Sequence, residues 1–193
     1  MTKVLVTGAA GFIGSHTVDK LLADGHEVVG VDNFRSGNRS NLAGADSNEQ
    51  FTLVEADVSA DGVLDGLVSD TLPSAIIHLA ALVSVQDSID NPELNYQLNV
   101  LATHRVAEAA RAHDVKRVVF ASSAAIYGNA TDMPIVEEAA KLPISPYGGA
   151  KLASEAILLS HGAAFGITVR CQRYFNVFGP RQDPASPYSG VIS

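Results

Sequence analysis

Tyr147 and Lys151 stand four residues apart in the stretch SPYGGAKLASEA, a spacing that stacks two side chains on one face of a helix. A phenol and an ammonium held that way can act as one acid–base unit. Tyrosine has an ordinary pKa of about 10, so at neutral pH it is a poor base. One positive charge about 4 Å away, at an effective dielectric near 20, is worth roughly 4 kcal/mol, or about 3 pKa units. That would bring the phenol to neutral pH. The same spacing also arises on exposed helices with an ordinary aromatic and an ordinary lysine, so the pair alone leaves both readings open.

The elements that must position the pair come from the hydrophobic pattern. Short apolar runs at 3–7, 27–31, 51–55, 74–79, 115–121 and 167–171 read as strands. A helical segment covers 12–23. Two longer helical patterns run from Pro92 to about His113 and from Pro146 to about Phe165, each opened by a polar residue and a proline at the first helical position. Continuous apolar strands alternating with helices predict an α/β chain: a mostly parallel sheet with helices on both faces. Right-handed crossovers make it doubly wound and Rossmann-type. Residues 36–50, rich in Gly, Asn and Ser, read as a surface loop or an irregular turn.

A chain of 193 residues with 47% hydrophobic content can fill one core, and its net charge of −8 argues against nucleic-acid or anionic-membrane partners. Any phosphate must therefore be gripped locally by backbone groups. The single Cys171 excludes an internal disulfide and reads as a small strand residue rather than a reactive thiol. The start MTKVLVTG has no signal-peptide pattern, and no apolar run approaches a membrane span, so a cytoplasmic protein is expected. No cluster of His, Cys and carboxylates suggests a metal, and His78 reads as a packed strand-end residue.

Gly8, Gly11 and Gly14 in VTGAAGFIGS follow the first strand and open the first helix, where Phe12 and Ile13 carry free N–H donors. Glycine serves where backbone turns tightly or approaches a phosphate. Asp32, at the end of the second strand and followed by Asn33, is placed to accept hydrogen bonds from adenosine ribose hydroxyls. It would repel a 2′-phosphate, which favours NAD over NADP; the nearby Arg35 pulls slightly the other way. Asp57 and Val58, after the third strand, either meet the adenine edge or form a simple turn or helix start.

The ordered pieces TGAAGFIG, VDNF, ADV, IIHLAA, LNV, ASSAAIYG, PYGGAK and RYFNVFGP, from residue 7 to residue 180, resemble the extended short-chain dehydrogenase/reductase family, and within it the UDP-glucose 4-epimerase branch. The resemblance implies that Ser123 bonds a sugar hydroxyl beside Tyr147, the general base and acid. It makes Lys151 a ligand of the nicotinamide ribose and the group that lowers the phenol's pKa. Leu79, Ala80, Ala81 and Asn99 fall on the cofactor side, Ser84 and Asn176 on the substrate side. A hydroxyl pair, Ser122 and Ser123, capping the fifth strand is the plainer reading of SSAAIYG.

The implied reaction is epimerisation at C4 of a UDP-hexose. Related 4,6-dehydratases carry Asp-Glu, and decarboxylases tend to carry Glu, where this chain has Ala124-Ala125, so the dehydratase and decarboxylase readings rank second. A non-catalytic NAD-binding module is the rival from another class. Some epimerases carry lysine where this chain has Val83, which removes one cofactor contact. Family members also continue into a smaller substrate-binding domain. The expectation here is therefore an NAD-binding domain over 1–180 and the opening of a truncated substrate segment over 181–193. Relatives often dimerise through the two long helices, here about Pro92–His113 and Pro146–Phe165.

Overall fold

The computed structural model describes residues 2–183; Met1 and residues 184–193, most of the expected substrate segment, lie outside the described residues. Six strands, β1 (Lys3–Thr7), β2 (Glu27–Asp32), β3 (Phe51–Glu55), β4 (Ala75–His78), β5 (Arg117–Ser123) and β6 (Thr168–Tyr174), make one sheet in the order β3-β2-β1-β4-β5-β6. Every neighbouring pair is parallel. The chain winds outward from β1 to β3, then restarts on the other side at β4. The strand order thus switches between β1 and β4, and ligands of such sheets bind beyond the strand ends at that point.

Helices α1 (Phe12–Ala23), α2 (Val63–Thr71), α3 (Val85–Asp90), α4 (Pro92–Asn95), α5 (Ala102–Ala112) and α6 (Pro146–Phe165) cover the sheet. Alternate β1 side chains point to opposite faces. Leu5 joins Ile76, Phe120, Val68, Val106 and Leu158 on one face, while Val4 and Val6 join Val18, Leu22 and Leu42 on the other. Burying each such Leu or Ile side chain stabilises the fold by about 1.5–3 kcal/mol.

Four details depart from the sequence reading. The helix α2 was not expected: Asp65, Gly66, Ser69, Asp70 and Thr71 are weak helix formers, and burial of Leu64 and Val68 holds it instead. The short α3 is likewise carried by a cap, Ser84, which accepts from the Asp87 N–H. The long helix expected over 92–113 is broken by a π-turn at Tyr96–Leu101. The loop at 36–50 contains a 3-10 turn, Arg39–Leu42, pinned by the fully buried Leu42.

Candidate functional site

Two structures meet at the carboxyl ends of the strands. The first is the loop between β1 and α1. Gly8 has φ +71°, and a Cβ there would lie 2.7 Å from the Ala80 nitrogen. A Cβ on Gly14 would lie 1.9 Å from the Gly8 carbonyl oxygen. Only glycine lets the loop fold this closely over the helix start and against the segment after β4. Gly11 is the N-cap and brings no side-chain oxygen, so the first amides of α1, at Phe12 and Ile13, keep their donors for an outside acceptor. Three β1–α1 amides are drawn inward by β2: Gly8 and Ala9 N–H donate to the Val31 carbonyl at 2.8 and 3.2 Å and Ala10 N–H to Asp32 Oδ2 at 2.9 Å.

Asp32 also accepts from the Phe34 N–H through Oδ1 at 2.8 Å. A carboxylate has about four acceptor positions, so these two bonds leave room for ribose hydroxyls. The same aspartate thus shapes the loop it serves, a role with no local sequence signal. Beyond it, Asn33 Nδ2 donates to Asp57 Oδ2 at 3.1 Å. Burial raises the Asp57 pKa, but bonds from Ser59 and Asn33 and the charge of Arg35 outweigh it and hold the carboxyl below its ordinary range. The Val58 side chain is buried in the core, which leaves only its main chain for a ligand.

The second structure is the start of α6. Ser145 accepts from the Gly148 N–H, Pro146 holds the first turn, and the helix runs to Phe165 before Gly166 at φ +72° ends it. Tyr147 N–H donates to Ser88 Oγ at 3.1 Å. A Cβ on Gly148 would sit 2.7 Å from the Ala125 carbonyl oxygen, so the absent side chain brings this turn against the 3-10 segment Ala124–Tyr127 that follows Ser123. Ser123 Oγ caps that segment by accepting from the Ala125 N–H at 3.1 Å.

One turn further along α6, Lys151 is 3% exposed. Its Nζ donates to the Ala121 carbonyl at 2.9 Å and lies 4.8 Å from the Phe120 ring centroid and 5.8 Å from that of Tyr147. Burial pushes its pKa down to about 8. The carbonyl and the Phe120 ring hold the ammonium against β5, with the Tyr147 ring on its other side.

Glu155, one more turn along the same face, was not singled out from the sequence; its signal is the continued four-residue spacing from Lys151. Arg173 on β6 donates to both its oxygens at 3.0 and 2.9 Å, and also to the Tyr127 hydroxyl at 2.8 Å and the Glu137 carbonyl at 2.7 Å. Burial raises the Glu155 pKa, yet the Arg173 fork wins and keeps the carboxyl below its ordinary range. This ion pair clasps α6 to the segment behind Ser123.

Asn99 is buried and bonded to both main-chain groups of Leu82, at 3.1 and 3.0 Å, and to Asn95 at 2.7 Å. It therefore braces the segment after β4 that carries Leu79, Ala80 and Ala81. Ser84 is engaged as the α3 cap. Asn176 stands exposed past the end of β6, away from the hydrogen bonds that join the other residues. Cys171 is half-buried and its thiol is pushed up to about 11, chiefly by burial, which makes it a poor nucleophile. No helix among the described residues is long and apolar enough to cross a membrane.

A glycine loop against a helix start, an acidic residue at the end of β2 and a Tyr/Lys face on α6 have counterparts among known proteins. The chain is 44% identical over 192 residues to a UDP-glucose 4-epimerase of Mycolicibacterium smegmatis, covering 99% of this chain and 61% of that protein. A putative UDP-glucose 4-epimerase of Methanocaldococcus jannaschii is 39% identical, with 98% and 60% covered. Among solved structures, a UDP-N-acetylglucosamine 4-epimerase from Methanobrevibacter ruminantium, in complex with UDP-N-acetylmuramic acid, superposes with a TM-score of 0.92 at 40% identity, covering 99% and 60% of the two chains. The Thermus thermophilus UDP-glucose 4-epimerase complex with NAD gives 0.89 at 37%, with 97% and 59% covered. The chain thus spans about 60% of the length of these relatives. Its residues 4–193 match the sequence pattern of the NAD dependent epimerase/dehydratase family. The closely packed glycines, the uncapped helix start and Asp32 all fit a dinucleotide, and the chain belongs to that NAD-dependent family.

Proposed function

We propose that this protein takes part in NAD-dependent epimerisation at C4 of a UDP-hexose, of the UDP-glucose/UDP-galactose type, through a transient 4-keto sugar. The observation that carries the reading is the face of α6 on which Tyr147 and the buried Lys151 lie one turn apart, with the Lys151 Nζ 5.8 Å from the phenol ring, at the strand ends beside the glycine loop. Tyr147 takes the proton from the sugar 4-hydroxyl and returns it to the same oxygen once the 4-keto sugar has turned over. Ser123 holds the same hydroxyl through Oγ. Lys151 keeps the phenol acidic and reaches toward the nicotinamide ribose. The amides of Phe12 and Ile13 receive the diphosphate of the dinucleotide; Asp32 receives its adenosine ribose, and Asn33 and Asp57 border the adenine. Leu79, Ala80 and Ala81 form the wall opposite Gly8, and Ser84 and Asn176 lie on the sugar side. NAD held there would supply an acceptor for the C4 hydride and a donor for its return to the opposite face of the 4-keto sugar.

Residues 1–180 form the cofactor-binding and catalytic part in this reading, and 181–193 open a substrate segment. Tyr96, Leu159 and Phe165 are exposed apolar residues on the two helical stretches, which supports a homodimer through them; with a UDP-hexose as substrate, the protein would serve galactose metabolism in the cytoplasm.

Incubation with NAD and UDP-galactose tests the reading. UDP-glucose is the expected product. A keto-deoxy sugar with no UDP-glucose would make the protein a 4,6-dehydratase. Calorimetric binding of NAD without any binding of a UDP-sugar would leave a cofactor module.

A further inference from the structure

The imidazole of His78 lies at the end of β4, 1% exposed and stacked on Phe120 at 5.8 Å with 25° between the planes. Its two nitrogens each face a threonine: Nδ1 is 2.7 Å from Thr7 Oγ1 and Nε2 is 3.3 Å from Thr103 Oγ1. Donor counting settles which nitrogen carries the proton. Thr103 has one hydroxyl hydrogen, and it goes to the Asn99 carbonyl at 2.6 Å. Toward His78, Thr103 can only accept, so Nε2 is the protonated nitrogen and Nδ1 is bare. The bare Nδ1 accepts the one hydrogen of Thr7. With that hydrogen committed, Thr7 Oγ1 offers its lone pairs to the amides of Leu79 and Ala80, both at 3.2 Å. Those two residues are the wall against which Gly8 packs, 2.7 Å from a Cβ it does not have. On the other side, the Asn99 carbonyl that holds Thr103 also accepts from Ser154 Oγ of α6 at 3.2 Å.

We infer that His78, fixed as the neutral Nε2–H tautomer between Thr7 and Thr103, is a positioning residue that sets the Leu79–Ala80 wall of the dinucleotide site and ties it to the Tyr147/Lys151 helix. The role rests on the reading of the glycine loop as an NAD site. Among the described residues the charged group that bears on the imidazole is Lys151 from α6, and burial together with that charge keeps its pKa down at about 3. A second proton would turn Nδ1 into a donor, reverse the Thr7 hydroxyl and set Nδ1–H against the two amides for the lone pairs of Thr7 Oγ1, with Leu79 keeping the Thr7 carbonyl.

Nitrogen-15 spectra of the 193-residue chain test the tautomer directly. A neutral Nε2–H pattern for His78, unchanged between about pH 5 and 8, is expected. An Nδ1–H pattern, or titration in that window, overturns the inference. Calorimetry with NAD tests the positioning. Thr7→Val keeps the shape of the side chain and removes both the donor to Nδ1 and the side-chain acceptor shared by the two amides, leaving Leu79 only the main-chain carbonyl of residue 7, so NAD should bind roughly tenfold more weakly to the folded protein. Thr103→Val should weaken it less and shift the His78 resonances; if Thr7→Val does not fold, Thr103→Val and His78→Gln carry the measurement. A role in stability alone would lower the melting temperature and leave NAD affinity unchanged, and that outcome overturns the positioning role. Failure of the unsubstituted chain to bind NAD would overturn the cofactor reading of the loop, and this role with it, whatever tautomer the spectra show.

Discussion

The two halves of the candidate site are built on opposite principles. On the β1–β2 side almost everything is backbone. Gly8, Gly11 and Gly14 are there for the atoms they lack, and the groups offered to a ligand are amides. On the β4–β6 side almost everything is buried side chain: Lys151, Glu155, His78, Asn99 and Ser154 all lie at 3% exposure or less. A diphosphate has the same shape and charge in every dinucleotide and can be met by a fixed cradle. Proton transfer needs groups whose charge can be tuned, and burial does the tuning. The first half should therefore fail sterically, and the second electrostatically.

The largest effect is expected at Lys151. Replacing it with Met should lower turnover of UDP-galactose about 10²–10⁴-fold, the usual weight of acid–base assistance, while stability holds or improves. The sign follows from its pKa of about 8 against an ordinary 10.5. Between those values the unfolded chain binds more protons, so the folded state gains stability from this group as pH rises from about 8 toward 10.5 and loses it as pH falls. Denaturant melts of Lys151→Met should lack that rise; a parallel slope in both proteins would show that the buried ammonium is not what sets it.

Next comes Gly14→Ala. A methyl 1.9 Å from the Gly8 oxygen forces the backbone apart, with a loss of about 3 kcal/mol and NAD binding too weak to follow by calorimetry. Unchanged affinity would mean that the close loop is irrelevant to the ligand.

Glu155→Gln should destabilise by a similar or slightly smaller amount, about 2–3 kcal/mol, because Arg173 keeps its bonds to Tyr127 and Glu137 but loses its counter-charge. Chemical denaturation at neutral pH measures this. The Glu155 contribution in the parent protein should fade as pH falls through the carboxylate range, since its pKa is lowered on folding. The smallest effect has the opposite sign. Nothing lies within 4 Å of a Cβ on Gly66 in α2, so Gly66→Ala should stabilise by about 0.5–1 kcal/mol and leave NAD binding unaltered. Loss of binding there would break the division between the two halves.

The same division explains what could be read from the sequence. The cradle was legible because its determinants are local: glycines at a strand-to-helix turn, an aspartate at the next strand end. The starts of α4 and α6 were legible too, since Asn91 and Ser145 cap through their own side chains ahead of a proline. Tyr147 and Lys151 share one helix, so their spacing carried their geometry. The Arg173–Glu155 pair and the His78 chain join residues 18 and 71 or 25 positions apart, and no spacing rule reaches across a sheet. The helix α2 escaped because its residues favour other conformations until the core claims Leu64 and Val68.

The π-turn at Tyr96–Leu101 has a consequence of phase. A wide turn holds about one residue more than an α-turn, so it works as a built-in insertion. The faces of α5 are rotated by about 100° relative to where α4 would have carried them, one residue's worth of helical advance. A single deletion within 96–101 would let the segment close into one regular helix. It would leave Thr103 facing His78 and Val106 in the core, because the residue removed is the one the wide turn absorbs. Closing into a regular helix with no residue lost would instead turn both away and undo the fit downstream.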